Sequence, residues 1–225
     1  MNLSDIDIVI LCGGQGTRIR DYLPPGLPKC MADINGRPFI EILLDKLFDA
    51  GFRCAILCVA YGASKIVDLF AAEKYDGAYF PKGNGEQFHL EFTYDDRIGI
   101  GTGGAIAAAV SEEISDPFLI INGDTICDID FDALLENHRE VDFAATIPHD
   151  SQYRNIGIYI FTKKAIKRAA ERLGMKFDLD DAVGILSNIG MMVNWQPVDA
   201  NFYDIGTPEG LESLRCANRE MAVAG

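Results

Sequence analysis

The run Ile6-Asp7-Ile8-Val9-Ile10-Leu11-Cys12 breaks directly into Gly13-Gly14-Gln15-Gly16, and this junction constrains the fold more than any other stretch. A short, almost unbroken apolar run bounded by a turn reads as a strand buried on both faces, the pattern of a parallel sheet between two helical layers. Glycines at its carboxyl end let the backbone turn tightly and approach a ligand closely. The rest of the chain continues the alternation. Strand-like runs at 54–60, 88–94, 118–122, 142–147, 156–161 and 195–198 are interleaved with helical patterns. Residues 39–51 place Ile40, Leu43, Leu44, Leu47 and Phe48 on one helical stripe that Gly51 closes. Further helices are expected from Ser64, as N-cap, to about Ala72, and from Ala105 to about Glu113. Others span 163–173 and Asp180 to about Ile189, and a last one is opened by Thr207 or Pro208. The expected fold is α/β: a Rossmann-like, doubly wound, mostly parallel sheet with helices on both faces, as one domain over 1–225. In such sheets ligands bind beyond the carboxyl ends of the strands.

Charge narrows the partners. Twenty Lys and Arg against 34 Asp and Glu give a formal charge of −14. Nucleic acid and anionic membrane surfaces favour basic proteins, so neither is an expected partner. Phosphorylated small molecules remain compatible, because backbone amides, a metal ion and a few cations can hold phosphates inside an acidic protein. No apolar stretch reaches the ~20 residues of a membrane span, and no basic segment precedes the first strand as in a signal peptide. Cytoplasmic residence is expected. The six cysteines, at 12, 30, 54, 58, 127 and 216, form no CxxC pair and read as reduced, small apolar side chains. Three histidines, none spaced as a ligand from a cysteine pair, argue against zinc.

Chemistry concentrates at the first turn. Leu11-Cys-Gly13-Gly14-Gln-Gly16-Thr17-Arg18 is followed by Leu27-Pro28-Lys29. Amides of Gly13, Gly14 and Gly16 can point at phosphate oxygens, Arg18 offers a planar fork, and Lys29 offers a point charge against a developing negative charge. A tight turn, or a dinucleotide site, is the plainer reading of the glycines. The dinucleotide reading wants an acidic residue closing the second strand, where this chain has Tyr61-Gly62. Asp124 and Asp204 each stand beside a glycine at an expected strand end. Either alone is a turn former or helix cap. Together with a phosphate loop they favour shared coordination of Mg2+, which takes a few carboxylates plus substrate phosphate oxygens.

These motifs resemble those of the sugar-phosphate nucleotidyltransferases, with their GGxGTRL…PK signature, and the likeness covers most of 5–147 and again 155–215. The wording is closest to the branch that transfers a guanylyl group to a heptose 1-phosphate. The resemblance implies a Mg2+-dependent enzyme joining an NTP, GTP by that branch, to a heptose or hexose 1-phosphate, with release of pyrophosphate. It implies Arg18, Lys29 and Asp124 as catalytic residues and Asp124 and Asp204 as metal ligands. Leu11, Gly13, Gly14, Gly16, Thr17, Gly101 and Thr102 then belong to the nucleotide site. Within it, Gly101-Thr102-Gly103-Gly104-Ala105 stands where the family reads its nucleobase. The family's Gly-x-Tyr strand corresponds to Gly157-Ile-Tyr159, which puts Gly157 at the sugar.

The pattern is broken once. The family carries a β-hairpin with a Glu-Lys pair ahead of that strand, whereas here Asp150-Ser-Gln-Tyr153-Arg154 runs straight into Asn155. The sugar site is therefore expected to be shortened, with Arg154 either its replacement cation or a surface loop residue. Three further expectations are plainer. Trp195 is a core residue, the three histidines have no catalytic partner, and the basic helix face at 163–172 is solvated. Competing functions are a noncatalytic, regulatory nucleotide-sugar-binding protein, and a cytidylyl- or uridylyltransferase acting on another phosphorylated alcohol. Oligomeric state stays open, a homodimer included.

Overall fold

The computed structural model describes residues 2–71, 78–79, 87–94 and 99–224. Strand β1 (Ile8–Leu11) lies inside the sheet, and its side chains alternate between two apolar layers. Ile8 and Ile10 enter one core cluster and Val9 the other. A two-residue hairpin of β2 (Asp33–Ile34) and β3 (Arg37–Pro38) leads into helix α1 (Phe39–Ala50), which ends at Gly51 with φ 113°. Then follow β4 (Cys54–Val59), α2 (Ala63–Ala71), β5 (Ala78–Tyr79), β6 (Phe88–Tyr94) and α3 (Gly101–Ala109). β7 (Phe118–Asn122), β8 (Thr125–Asp128), α4 (Phe131–Glu140), β9 (Ala145–His149) and β10 (Ile158–Phe161) come next. The chain closes with α5 (Lys163–Leu173), α6 (Leu179–Asn188), β11 (Val193–Pro197), β12 (Asn201–Asp204) and α7 (Pro208–Ala224).

The main sheet has the order β11-β9-β10-β7-β1-β4-β6-β5. β1 pairs in parallel with β4 and β7, β4 with β6, and β9 with β11, while β10 runs antiparallel between β7 and β9. Side chains of α1, α2, α4 and α7 fill one layer, and those of α3, α5 and α6 the other. Burying a large aliphatic or aromatic side chain stabilises by about 1.5–3 kcal/mol, and Phe39, Phe52, Phe88, Phe118 and Phe161 are all fully buried. The doubly wound, mostly parallel sheet is thus the fold expected from the alternation. β8 and β12 form a separate two-stranded sheet that the sequence pattern did not announce.

Three local expectations are corrected. α2 starts at Ala63, so Ser64 lies inside the helix and does not cap it; Ala72 lies outside the described residues. The small-residue helix begins at Gly101, drawing the glycine cluster into its first turn, and ends at Ala109. β-branched Val110 is extended there, and Ser111 Oγ accepts the Glu113 N–H in a local turn that competes with helix. Trp195 is 54% exposed rather than core, because β11 is the edge of the sheet. All six cysteines are free, and five are buried or partly so. No described helix is long and apolar enough to cross a membrane.

Candidate active site at the carboxyl edge of the sheet

The turn after β1 is fastened to its neighbours by backbone bonds. Cys12 N–H donates to Cys58 O at 2.9 Å, and Gly123 N–H to Leu11 O at 3.1 Å, so the ends of β4, β1 and β7 meet. Side chains are excluded where the chain is tightest. A Cβ on Gly13 would lie 3.1 Å from Ala60 Cβ, and one on Gly123 only 2.5 Å from Leu11 O. Gly16 has φ 62°, in the left-handed region, and a Cβ there would stand 3.0 Å from Lys29 Cβ. The stem of Lys29 thus lies across Gly16 and near Gly14. Thr17 and Arg18 open a short 3-10 turn (Thr17–Tyr22) and are exposed. Arg20, which sequence reasoning passed over, ties this turn down. Its guanidinium donates to Gln15 O and to Tyr61 Oη, 2.9 Å away, and lies 4.6 Å from the centre of the Tyr61 ring.

Two acidic side chains converge opposite the turn. β12 is antiparallel to β8 with Asp204 opposite Thr125, and Ile205 N–H donates to Asp124 O at 2.9 Å. Residues 80 positions apart in sequence are thereby zipped side by side. Gly206 marks their meeting point: a Cβ there would lie 2.7 Å from Asp204 Oδ1 and 3.0 Å from both Asp124 Oδ2 and Arg18 Nη2. Both carboxylate oxygens and the guanidinium therefore crowd one spot, which only glycine leaves open. The Lys29 ammonium is ion-paired with Asp124, in a pair that is mostly shielded from solvent. Asp204 Oδ1 also accepts the Gly206 N–H at 2.7 Å. Among the described residues no cluster of three or more His, Cys, Asp or Glu could hold a metal by itself. Two converging carboxylates are a donor set that fits an ion completing its shell with phosphate oxygens.

Gly101 and Thr102 sit elsewhere, at the start of α3 and under the segment that precedes α6. Phe177 N–H donates to Ile100 O at 3.0 Å, and Gly104 N–H returns to Phe177 O at 3.1 Å. Asp178 Oδ1 accepts the Thr102 N–H at 3.0 Å, while Thr102 Oγ1 accepts the Leu179 N–H at 3.0 Å. A Cβ on Gly101 would fall 2.3 Å from Phe177 O, and one on Gly103 2.3 Å from the Phe177 ring. The glycines of this segment admit the Phe177 strap, and the Thr102 amide is already bonded.

At the other end, Gly157 has φ 74° and a Cβ there would lie 2.8 Å from Thr125 Oγ1 and 3.1 Å from Asn122 Nδ2. It stands directly behind the Asp124 turn. Nearby, burial and the charge of Asp180 push the Tyr159 hydroxyl up to about 12, against a hydrogen bond to Asn155 that pulls the other way. Neither is singled out as a site residue by the sequence: Asn155 is marked only by its nearness to the Gly-x-Tyr strand, and Asp180 only as the expected start of a helix. Arg154 is held within its own loop. Its guanidinium is paired with Asp150 Oδ2, at 2.7 Å from Nε and 2.6 Å from Nη2, and lies 5.4 Å from the Phe202 ring centre. Burial raises the Asp150 carboxyl, but the Arg154 and Gln152 hydrogen bonds outweigh it and hold the group below the usual range. None of the histidines approaches the site's acids: His89 pairs with Glu91, His138 with Thr146, and His149 with the Asp150 carbonyl.

A parallel sheet whose first turn packs against a lysine, with two carboxylates facing it at the same edge, is the frame of a nucleotidyltransferase-type domain. The chain belongs to the MobA-like NTP transferase domain family, whose model matches residues 8–198. The mannose-1-phosphate guanylyltransferase of Mycobacterium tuberculosis is 27% identical over 240 residues, covering 93% of this chain and 63% of that protein. The D-glycero-alpha-D-manno-heptose 1-phosphate guanylyltransferase of Campylobacter jejuni is 31% identical over 134 residues, 59% of this chain and 54% of its own. The chain thus spans less than two thirds of the length of these relatives. The crystal structure of HddC from Yersinia pseudotuberculosis superposes with a TM-score of 0.76 at 27% identity, over 94% of this chain and 99% of that one. HddC has also been solved complexed with GMP-PN.

Proposed function

We propose that this chain is a sugar-1-phosphate guanylyltransferase that joins GTP to a heptose or hexose 1-phosphate and releases pyrophosphate. The observation that carries the proposal is the convergence of Asp124, Asp204 and Arg18 at Gly206, with Lys29 paired to Asp124 beside the glycine turn. Guanine and the sugar class are supported by the names of the relatives and by the HddC complex. The reaction needs no protein nucleophile. An oxygen of the acceptor phosphate attacks the α-phosphorus in line, and the bond from that phosphorus to the bridging oxygen breaks. Pyrophosphate leaves with the electron pair.

Catalysis is then positioning and charge neutralisation. Leu11, Gly13, Gly14, Gly16 and Thr17 form the phosphate-facing turn, with Gly101 and Thr102 bounding the base side. Arg18 holds the departing phosphates. Lys29, which the free protein holds on Asp124, turns its charge to the α-phosphoryl oxygens. Asp124 and Asp204 would hold Mg2+, which supplies Lewis-acid polarisation of the phosphoryl group. Gly157 gives the acceptor room behind the Asp124 turn, and Arg154 stiffens the acceptor side. The free thiols support residence in the cytoplasm.

The test is purified protein with Mg2+, each NTP in turn and a set of sugar 1-phosphates, read as pyrophosphate release. The proposal expects release with GTP and a heptose or hexose 1-phosphate, reduced ~10²–10³-fold in kcat by Asp204→Ala, the scale of losing one electrostatic stabiliser. Binding of nucleotide sugar without release under any combination would overturn it in favour of a noncatalytic homologue.

A further inference from the structure

The corner after β4 has no task in the reaction described so far. A dinucleotide fold would place an acidic residue there. This chain has Ala60-Tyr61-Gly62, and each of the three touches a different point of the phosphate loop. Ala60 lies under the first glycine, since a Cβ on Gly13 would stand 3.1 Å from Ala60 Cβ. Tyr61 Oη accepts from the Arg20 guanidinium at 2.9 Å, and the guanidinium carbon lies 4.6 Å from the centre of the Tyr61 ring. Gly62, at φ 67°, packs against the segment ahead of Lys29: a Cβ there would fall 2.8 Å from Pro28 Cδ and 3.1 Å from Gly26 O. Lys65, in the first turn of α2, adds a bond from Nζ to Pro25 O at 3.2 Å. Residues 13–29 are thus set against one short corner, from the glycine turn to the proline that delivers Lys29.

Arg20 is the link with a directional consequence. Its Nη1 bonds Tyr61 and its Nη2 bonds Gln15 O, so one planar fork joins the glycine turn to the β4 corner. A peptide unit is planar and trans, with its C=O and the following N–H on opposite sides. With Gln15 O turned to Arg20, the Gly16 N–H of the same unit points away from that side chain. Gly16 sits at φ 62° and carries no side chain to restrict it. A peptide beside such a residue is free to flip unless its carbonyl is held, and Arg20 supplies the hold. A lysine ammonium could reach one of the two acceptors at a time and would forfeit the stack on the ring. Arg18, two residues earlier, is exposed and free to meet a ligand, whereas Arg20 meets the loop.

We infer that Arg20 is a positioning residue for the nucleotide, held in turn by Tyr61. It keeps the Gln15–Gly16 peptide in the orientation that presents the Gly16 amide to the triphosphate, while Ala60 and Gly62 hold the two ends of the loop in register. The inference rests on the reading of the chain as a nucleotidyltransferase and adds to it two residues whose contacts are with the loop rather than with a reacting group.

Steady-state rates, and calorimetric binding of a non-hydrolysable GTP analogue with Mg2+, test it on the wild type, Arg20→Ala, Arg20→Lys, Tyr61→Leu and the double variant of Arg20→Ala with Tyr61→Leu. Arg20→Ala is expected to weaken analogue binding and raise the KM for GTP roughly tenfold, as a small misplacement in a preorganised site does. The acceptor KM should stay unchanged. Arg20→Lys should recover only part of the loss. The double variant should be no worse than Arg20→Ala alone, because residues that act as one unit do not add. Unchanged GTP KM and analogue affinity in Arg20→Ala, complete recovery with lysine, an equal rise in both KM values, or additive losses in the double variant overturn the inference. Backbone 15N relaxation dispersion on the free protein, which sees microsecond-to-millisecond exchange, reads the loop without turnover. If the wild type releases no pyrophosphate and binds no nucleotide, the reading as a transferase fails, and this measurement still decides the loop. Exchange that appears at Gly16 in Arg20→Ala, and not at Gly157, supports the hold; a Gly16 amide as quiet as in the wild type refutes it.

Discussion

The two ends of the sheet's carboxyl edge are built differently. At the β1 end, glycines at 13, 16 and 123 bring backbone and side chains to within contact distance, and the Lys29–Asp124 pair is largely shielded. At the β9 end a short loop braced by Asp150 leaves an open cavity, with the Arg154 side chain 61% exposed. Under the proposed function, the contrast separates two tasks. Chemistry on a triphosphate is the same for any acceptor and calls for groups fixed in a preorganised array. Acceptor choice is a difference of contacts, and an open, loop-walled pocket can change without disturbing that array.

Substitutions can break or sharpen this division. The largest effect is expected at the closed end: Lys29→Ala should lower kcat by ~10²–10³-fold, as when one electrostatic stabiliser is removed. Arg154→Ala, at the open end, should change acceptor KM several-fold and leave kcat within tenfold; steady-state kinetics on both variants checks the split. Equal losses in kcat would erase the distinction.

Next in size is a packing effect. Gly101 has φ 78°, and a Cβ would fall 2.3 Å from Phe177 O. Gly101→Ala should therefore destabilise the protein by about 2–4 kcal/mol, strain and clash together, read by urea unfolding. A variant as stable as wild type would mean that the Phe177 strap moves aside freely.

A smaller and pH-dependent effect comes from His138, remote from both ends. Burial first, then the charge of Arg139, push it down to about 4, against Asp142 and Asp116. Its folded pKa lies below the ordinary value of ~6.5, so the folded state binds fewer protons than the unfolded chain. Stability is full above about pH 6.5 and falls as pH drops toward 4, by at most about 3 kcal/mol. Urea titrations at pH 7 and pH 5 should show that loss in wild type and much less of it in His138→Gln. The smallest effect is expected at the exposed edge, where Trp195→Ser should change stability by no more than about 0.5 kcal/mol.

Local rules made much of this legible in the sequence. α1 follows its apolar stripe and stops at Gly51, and α5 occupies 163–173 as its amphipathic pattern requires. The glycine turn after β1 is likewise where a buried strand meets three glycines. What escaped depends on partners distant in the chain. The pairing of β8 with β12 beneath Asp124 and Asp204, whose sharing of an ion the sequence did suggest, joins two four-residue strands too short to show a period. Gly101-Thr102-Gly103-Gly104 reads as a loop in isolation and becomes helical once Phe177 and Asp178 bond its first turn. Trp195 looks like a core residue by type, and only its place on the sheet edge exposes it. Arg154 was weighed as a free cation because its partner, four residues back, is set by the loop's closure.

The central claim is that Asp124 and Asp204 share one divalent ion with the bound nucleotide. Binding of Mn2+, used as a spectroscopic stand-in for Mg2+, can be measured by electron paramagnetic resonance with a non-hydrolysable GTP analogue, in wild type, Asp124→Asn and Asp204→Asn. The expected result is one protein-bound ion in the ternary complex of the wild type, weakened at least roughly tenfold by either substitution, since each removes a charged ligand. Undiminished Mn2+ binding in both variants would contradict the account.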